Sequence, residues 1–118
     1  MITKKFKYFS KSEFKCKCCG ENAINDKLID MLDIARGIVG VPFIVNSGYR
    51  CIYHNEKVGG RANSSHLKGL AVDIKLHSGH EKYKILDAMY KAGFKRIGVY
   101  DNFIHVDIDL DKPQEAMW

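Results

Sequence analysis

Ser64-Ser65-His66-Leu67-Lys68-Gly69-Leu70-Ala71-Val72-Asp73 leads from a small polar loop into an apolar strand. Phe103-Ile104-His105-Val106-Asp107 is a second strand of the same character. Side chains alternate between the two faces of a strand. Leu70, Val72 and Ile74 therefore share one face, and Ala71 and Asp73 the other. Ile104, Val106, Ile108 and Leu110 share one face, and Phe103, His105, Asp107 and Asp109 the other. Each strand is expected to turn its apolar face to a core and its polar face to a groove or to solvent. Two histidines and a carboxylate form a donor set that zinc favours, and three protein ligands leave a fourth position open.

The alternatives for each residue are ordinary ones. His66 in a Ser/Asn/Gly loop also reads as a surface polar residue. A carboxylate inside an apolar strand is costly to bury unless it is paired or holds a metal, so Asp73 also reads as half of a buried ion pair. Asp107, Asp109 and Asp111 alternate as an exposed acidic face would. His105 and Asp107 stand about 6–7 Å apart along the backbone, close enough for the carboxylate to orient the ring or handle the proton of a water. Arg50, after the run Phe43–Ser47, reads either as a surface salt-bridge partner or as a cation for a developing oxyanion or a terminal carboxylate.

Outward from these strands, helical spacing of Leu28, Ile29, Leu32, Ile34, Ala35 and Ile38 predicts a helix from Asn25 or Asp26 to Val39, stopped by Gly40 with Pro42 beyond. Phe43–Ser47 is β-rich. Ile52–Val58 is expected to form a short helix ending at Gly59-Gly60, and 61–67 a loop. Leu70–Leu76 reads as a strand. Glu81–Ala92 reads as an amphipathic helix with Tyr83, Ile85, Leu86, Met89 and Tyr90 on its apolar side. Arg96–Tyr100 and Phe103–Leu110 form a hairpin about Asp101-Asn102. Ser10 with Glu13 has capping-box spacing. The order predicts an α+β fold: a small, mostly antiparallel sheet with helices packed on it and a zinc site in a groove on the sheet.

The 118 residues are read as a single domain, 1–118, and 46% hydrophobic content provides for one core without a metal. The net charge of +5 favours a polyanionic partner, and Lys4, Lys5, Lys7, Lys11, Lys15 and Lys17 gather at the N-terminus. No nucleic-acid motif is present, and no run is apolar enough to span a membrane. No signal peptide is readable. The protein is expected to be made in the cytoplasm and to act after release by lysis or a pore, or within a larger particle. Cys16, Cys18, Cys19 and Cys51 read in three ways. One is a structural zinc site, for which the C-x-C-C spacing is poor. Another is a disulfide from Cys51 to the cluster, and the third is buried free thiols.

Together these motifs resemble the zinc D-Ala-D-Ala carboxypeptidase family of peptidoglycan peptidases, in its short phage-type subgroup. The family pattern S-x-H-x-x-G-x-A-x-D stands as Ser64, His66, Gly69, Ala71 and Asp73, and the later H-x-D as His105-Val106-Asp107. Phe9-Ser10, Glu13-Phe14, the cysteines, Ser47–Cys51, His54-Asn55, Val58–Gly60 and Trp118 extend the likeness over nearly the whole chain. The resemblance implies Zn²⁺ held by His66, Asp73 and His105, with Arg50 on the substrate carbonyl or carboxylate. It implies a zinc-activated water attacking a stem-peptide bond, as in D,D-carboxypeptidases or wall endopeptidases such as endolysins. A monomer is expected, with no nucleic acid and no membrane insertion. Many members carry an acidic base three residues before the last ligand. Here that residue is Asn102, so Asp107 and then Asp101 are the candidates for general base. Two other readings remain: a non-catalytic zinc-containing wall-binding module, and a small basic nucleic-acid protein with a Cys/His zinc.

Overall fold

A computed structural model describes residues 5–118; Lys4 of the basic run, and residues 1–3 of the expected domain, lie outside the described residues. The chain is α+β. A 3-10 turn, Lys11–Phe14, precedes α1 (Asp26–Val39), β1 (Val45–Ser47) and α2 (Ile52–Lys57). A second 3-10 turn, Ser65–Lys68, leads to β2 (Ala71–Lys75), α3 (Gly79–Lys91), β3 (Arg96–Val99), β4 (Phe103–Asp107) and β5 (Ala116–Met117). The sheet order is β1-β2-β4-β3-β5, antiparallel except for β3 with β5.

Local chemistry accounts for most boundaries. The Asn25 side chain caps α1 by accepting from the Lys27 amide at 2.8 Å, and Gly40 closes it with a left-handed φ of 79°. Ser78 caps α3 through the Glu81 amide at 3.1 Å. In the first 3-10 turn, the Glu13 carboxylate accepts from the Ser10 amide at 2.6 Å, the returning half of a capping box. Tyr100 donates its amide to the Phe103 carbonyl at 3.1 Å, closing the expected two-residue turn at Asp101-Asn102.

The core lies between the helices and one face of the sheet. Leu28, Ile29, Leu32 and Ala35 of α1 and Ile85, Ala88 and Met89 of α3 meet Val72, Ile74, Ile104 and Val106 of the central strands. Alternation then sends Asp73 and His105 to the opposite face.

Several expectations change. Ile34 and Ile38 of α1, and Tyr83 and Tyr90 of α3, are exposed. The buried stripe of each helix is narrower than the sequence pattern because the small sheet covers only part of its circumference. β4 ends at Asp107, so Leu110 falls beyond the ladder and is exposed. β5 lies in a stretch the sequence reading left without structure, since two residues carry no period. The stretch 61–67 is loop only to Ser64. Cys18 and Cys19 are exposed and Cys51 half-buried, so only Cys16 is a buried thiol.

Candidate metal centre

β2 and β4 pair so that Asp73 stands directly opposite His105. Directly opposed residues are the closest neighbours a sheet offers, and the His105 Nδ1 to Asp73 Oδ1 distance is 2.8 Å. His66 arrives from the 3-10 turn. Ser64 starts that turn by accepting from the His66 amide at 3.2 Å, and Gly69 ends it at φ 70°. A Cβ at Gly69 would run into the Ala23 carbonyl. Glycine is therefore required twice there, by its backbone angle and by the close approach of the chain. The turn puts His66 Nε2 3.3 Å from Asp73 Oδ1. His66 Nε2, Asp73 Oδ1 and His105 Nδ1 converge, with one ligand atom from each of the three residues within 4.8 Å of the others.

Hydrogen bonds fix the tautomers. The Gly48 carbonyl, 2.7 Å from His66 Nδ1, can only accept. The proton of His66 is therefore on Nδ1, and Nε2 turns its lone pair to the cluster. His105 Nε2 donates to Asp107 Oδ2 at 2.8 Å, which turns the Nδ1 of a neutral ring to Asp73. With the protons so placed, two ring lone pairs and a carboxylate would face a bound metal ion; without one, a second proton on His105 Nδ1 satisfies its 2.8 Å contact with Asp73. In the metal-free protein, burial opposes the His105 charge, but Asp107 and Asp73 outweigh it and raise its pKa above the ordinary value. Burial likewise opposes the Asp73 charge, and His105 and His66 hold the carboxyl well below the usual carboxylate range.

Asp107 is 1% exposed, and both its oxygens are engaged. Oδ2 takes His105; Oδ1 takes Arg96 Nε at 2.7 Å and the Asp109 amide at 3.2 Å. Asp109, also 1% exposed, accepts from Ser65 Oγ at 2.8 Å and pairs with Lys68 at 3.1 Å. The alternating aspartates are therefore an internal hydrogen-bonded ladder up to Asp109, not a solvated acidic face. Only Asp111 is exposed, and it pairs with Lys68. Asp101 sits exposed at the hairpin turn, outside the cavity lining. Arg50 lies beside the cluster. Its Nη2 is 3.4 Å from Asp73 Oδ2, Nε donates to Ser47 Oγ at 3.0 Å, and Nη1 to Asn55 Oδ1 at 3.3 Å. Burial lowers the Arg50 pKa, and Asp73 partly offsets this; the group stays a cation.

The cluster forms part of the lining of an open cavity of about 730 Å³. The family model described as Peptidase M15 matches residues 7–107. The chain belongs to the Peptidase M15 family. Comparison with curated proteins gives no match. M15 peptidases are zinc-dependent, and the residues here suit that ion. Two imidazole nitrogens and a carboxylate oxygen are the donors zinc takes. At bond lengths near 2.0–2.2 Å, ligand atoms of a tetrahedral site lie roughly 3.3 Å apart. The separations of 3.3 Å and 2.8 Å are close to that spacing.

Some residues around this cluster were not legible as site residues. Arg96 reads as a strand residue, yet it locks Asp107 and lies under Trp118, its guanidinium 4.9 Å from the ring. Trp118 also donates Nε1 to the Tyr100 hydroxyl at 2.9 Å, and its ring lies 5.6 Å from that of His105. A Cβ at Gly98 would stand 2.7 Å from Trp118 Nε1, so a glycine in β3 is what admits this ring. Ser65 and Asp109 form part of the same support. The likeness to the subgroup marked Trp118; nothing local marked Arg96.

Proposed function

We propose that this M15 chain is a zinc metallopeptidase that hydrolyses peptide bonds in peptidoglycan stem peptides, as a D,D-carboxypeptidase or an endopeptidase. The carrying observation is the convergence of His66 Nε2, Asp73 Oδ1 and His105 Nδ1 in an open cavity, with the Arg50 guanidinium alongside. These three residues would hold zinc, which supplies Lewis acidity and acidifies water towards a pKa of ~7.

The chain's own residues divide the remaining work. Gly48 holds the His66 tautomer through Nδ1. Asp107 holds the His105 proton on Nε2 and keeps Nδ1 free for the metal. Asp73 directs one oxygen to the histidines and the other to Arg50. Arg50 binds the substrate carbonyl or a terminal carboxylate and stabilises negative charge that develops there. Arg61 and Lys112 also line the cavity, and cations suit stem peptides, which carry free carboxylates. Tyr100, Phe103 and Trp118 supply apolar wall.

A second reading, a non-catalytic zinc-containing wall-binding module, has one specific observation in its favour. Among the described residues the cavity lining holds only two carboxylates, Asp73 and Asp107, and both are fully engaged. Asn102 stands where many relatives carry an acid. The test is incubation of the zinc-loaded protein with purified peptidoglycan and synthetic stem peptides, with products read by mass spectrometry. A defined product, lost in His66→Ala, supports the peptidase. Saturable binding to the wall with zinc present and no product on several wall types refutes it and selects the module. For the base, Asp101→Asn and Asp107→Asn are compared: a variant that keeps zinc and loses kcat has lost proton transfer, whereas one that loses zinc has lost an orienting group.

A further inference from the structure

The four cysteines occupy two places in the sequence and one in the fold. One Sγ atom from each of Cys16, Cys18, Cys19 and Cys51 lies within 4.8 Å of the others, and Cys18 and Cys51 are 3.4 Å apart. Four sulfurs bonded to zinc at ~2.3 Å stand roughly 3.8 Å from one another. A disulfide would need ~2.05 Å and would join the sulfurs only in pairs. The observed spacing fits a four-sulfur shell.

The local backbone builds this cluster. The Cys16 amide donates to the Glu21 carbonyl at 2.7 Å, and the Gly20 amide to the Cys16 carbonyl at 2.9 Å. Gly20 has φ 77°, which lets the chain reverse tightly. The reversal folds Cys18 and Cys19 back towards Cys16. Cys51, the N-cap of α2, closes the set from a distant segment of the chain. Amides point at the sulfurs: Cys51 N donates to Cys16 Sγ at 3.4 Å, and His54 N to Cys51 Sγ at 3.4 Å. Hydrogen bonds to sulfur favour the thiolate, which is the form that binds metal. Lys15 and Lys17 flank Cys16 and offset the charge of a four-thiolate site. Spacing along the chain argued against such a site because C-x-C-C does not supply two separated pairs. The fold removes that objection: one tight turn gives three sulfurs and a distant segment gives the fourth.

We propose that Cys16, Cys18, Cys19 and Cys51 bind a second zinc ion in a closed, structural four-sulfur site, distinct from the His66–Asp73–His105 centre. Soft thiolates in a tetrahedral set select zinc over harder cations. The site ties the N-terminal turn to the segment that serves the histidine centre. Tyr49 N already donates to the Phe14 carbonyl at 2.8 Å, the Gly48 carbonyl holds His66, and Arg50 adjoins Cys51. A metal there fixes the wall from which Gly48 and Arg50 act.

The test uses the full chain, purified under reducing conditions without chelator. Zinc content and cobalt spectra are measured for the wild type, His66→Ala, and Cys18→Ser/Cys19→Ser, whose substituted side chains are exposed. Circular dichroism checks that each variant is folded. We expect two zinc ions per chain in the wild type and one in each variant. Cobalt-loaded His66→Ala should show the intense thiolate-to-cobalt charge-transfer absorption, and the double-serine variant should lack it. The proposal is overturned if folded His66→Ala shows no such absorption. It is equally overturned if all four thiols of the folded wild type react at once with a thiol reagent. None of these readouts depends on peptidase activity.

Discussion

Replacing Asp107 by Asn changes one atom in a group whose every acceptor is used. Asp107 accepts from His105 Nε2 at 2.8 Å, Arg96 Nε at 2.7 Å and the Asp109 amide at 3.2 Å. Asparagine keeps a single oxygen. If that oxygen faced His105, the NH₂ would meet two donors, one of them the buried Arg96 guanidinium; uncompensated buried charge costs about 3–5 kcal/mol. With the oxygen on Arg96 and the Asp109 amide, only one donor, His105 Nε2–H, is opposed. His105 relieves that contact by moving its proton to Nδ1, the atom that faces Asp73. The ring then offers no lone pair to the metal. Loss of such an orienting partner weakens metal affinity by about 10–100-fold, or roughly 1.4–2.8 kcal/mol at 1.4 kcal/mol per decade. Loss of the charged acceptor to Arg96 removes a further ~1–3 kcal/mol of folding stability. The assay is competition for zinc with a chromophoric chelator, on protein shown to be folded by denaturant titration. Folded Asp107→Asn that binds zinc as tightly as the wild type would refute the reasoning. If that same variant lost turnover as well, the carboxylate would be a proton carrier instead.

Three other perturbations have calculable signs. Gly69→Ala forces a left-handed backbone that costs an L-residue ~1–2 kcal/mol and adds the overlap with Ala23; thermal unfolding should fall by several degrees, and an unchanged midpoint would contradict the packing described. Arg50→Lys keeps charge but loses the planar fork, so kcat/KM on a cleaved substrate should drop by about 10²-fold or more with zinc content unchanged; full activity would remove Arg50 from the reaction. Burial opposes the Asp109 charge, but Ser65, Lys68 and the Asp111 amide outweigh it and depress its folded pKa. Its contribution is therefore present above the ordinary carboxylate pKa and lost as pH falls through the lower folded value. Asp109→Asn should flatten the acid limb of a stability-against-pH curve, and a wild-type-like limb would show that the ladder carries no such linkage.

The sequence by itself determined the three helices, strands β1 to β4 and the three candidate donors His66, Asp73 and His105. Strand alternation around Asp73 and His105 depends only on local geometry, and the apolar partners of both residues mark which face is the core. The signals at Asn25 and Gly40 are equally local, and the structure follows them; the Ser78 cap, which starts α3 two residues before the expected Glu81, was not read. Three matters were decided by tertiary structure. The β2–β4 register sets Asp73 opposite His105, and a slip of one residue would have put them on different faces. The roles of Asp107 and Asp109 depend on Arg96, Ser65 and Lys68, which come from elsewhere in the chain, so an exposed acidic face and a buried ladder share one sequence pattern. The cysteines are judged poorly by spacing because Cys51, 32 residues beyond Cys19, joins the others only in the folded chain. Local periodicity reports which way a side chain points; whether a partner stands there depends on contacts that close over long stretches of chain.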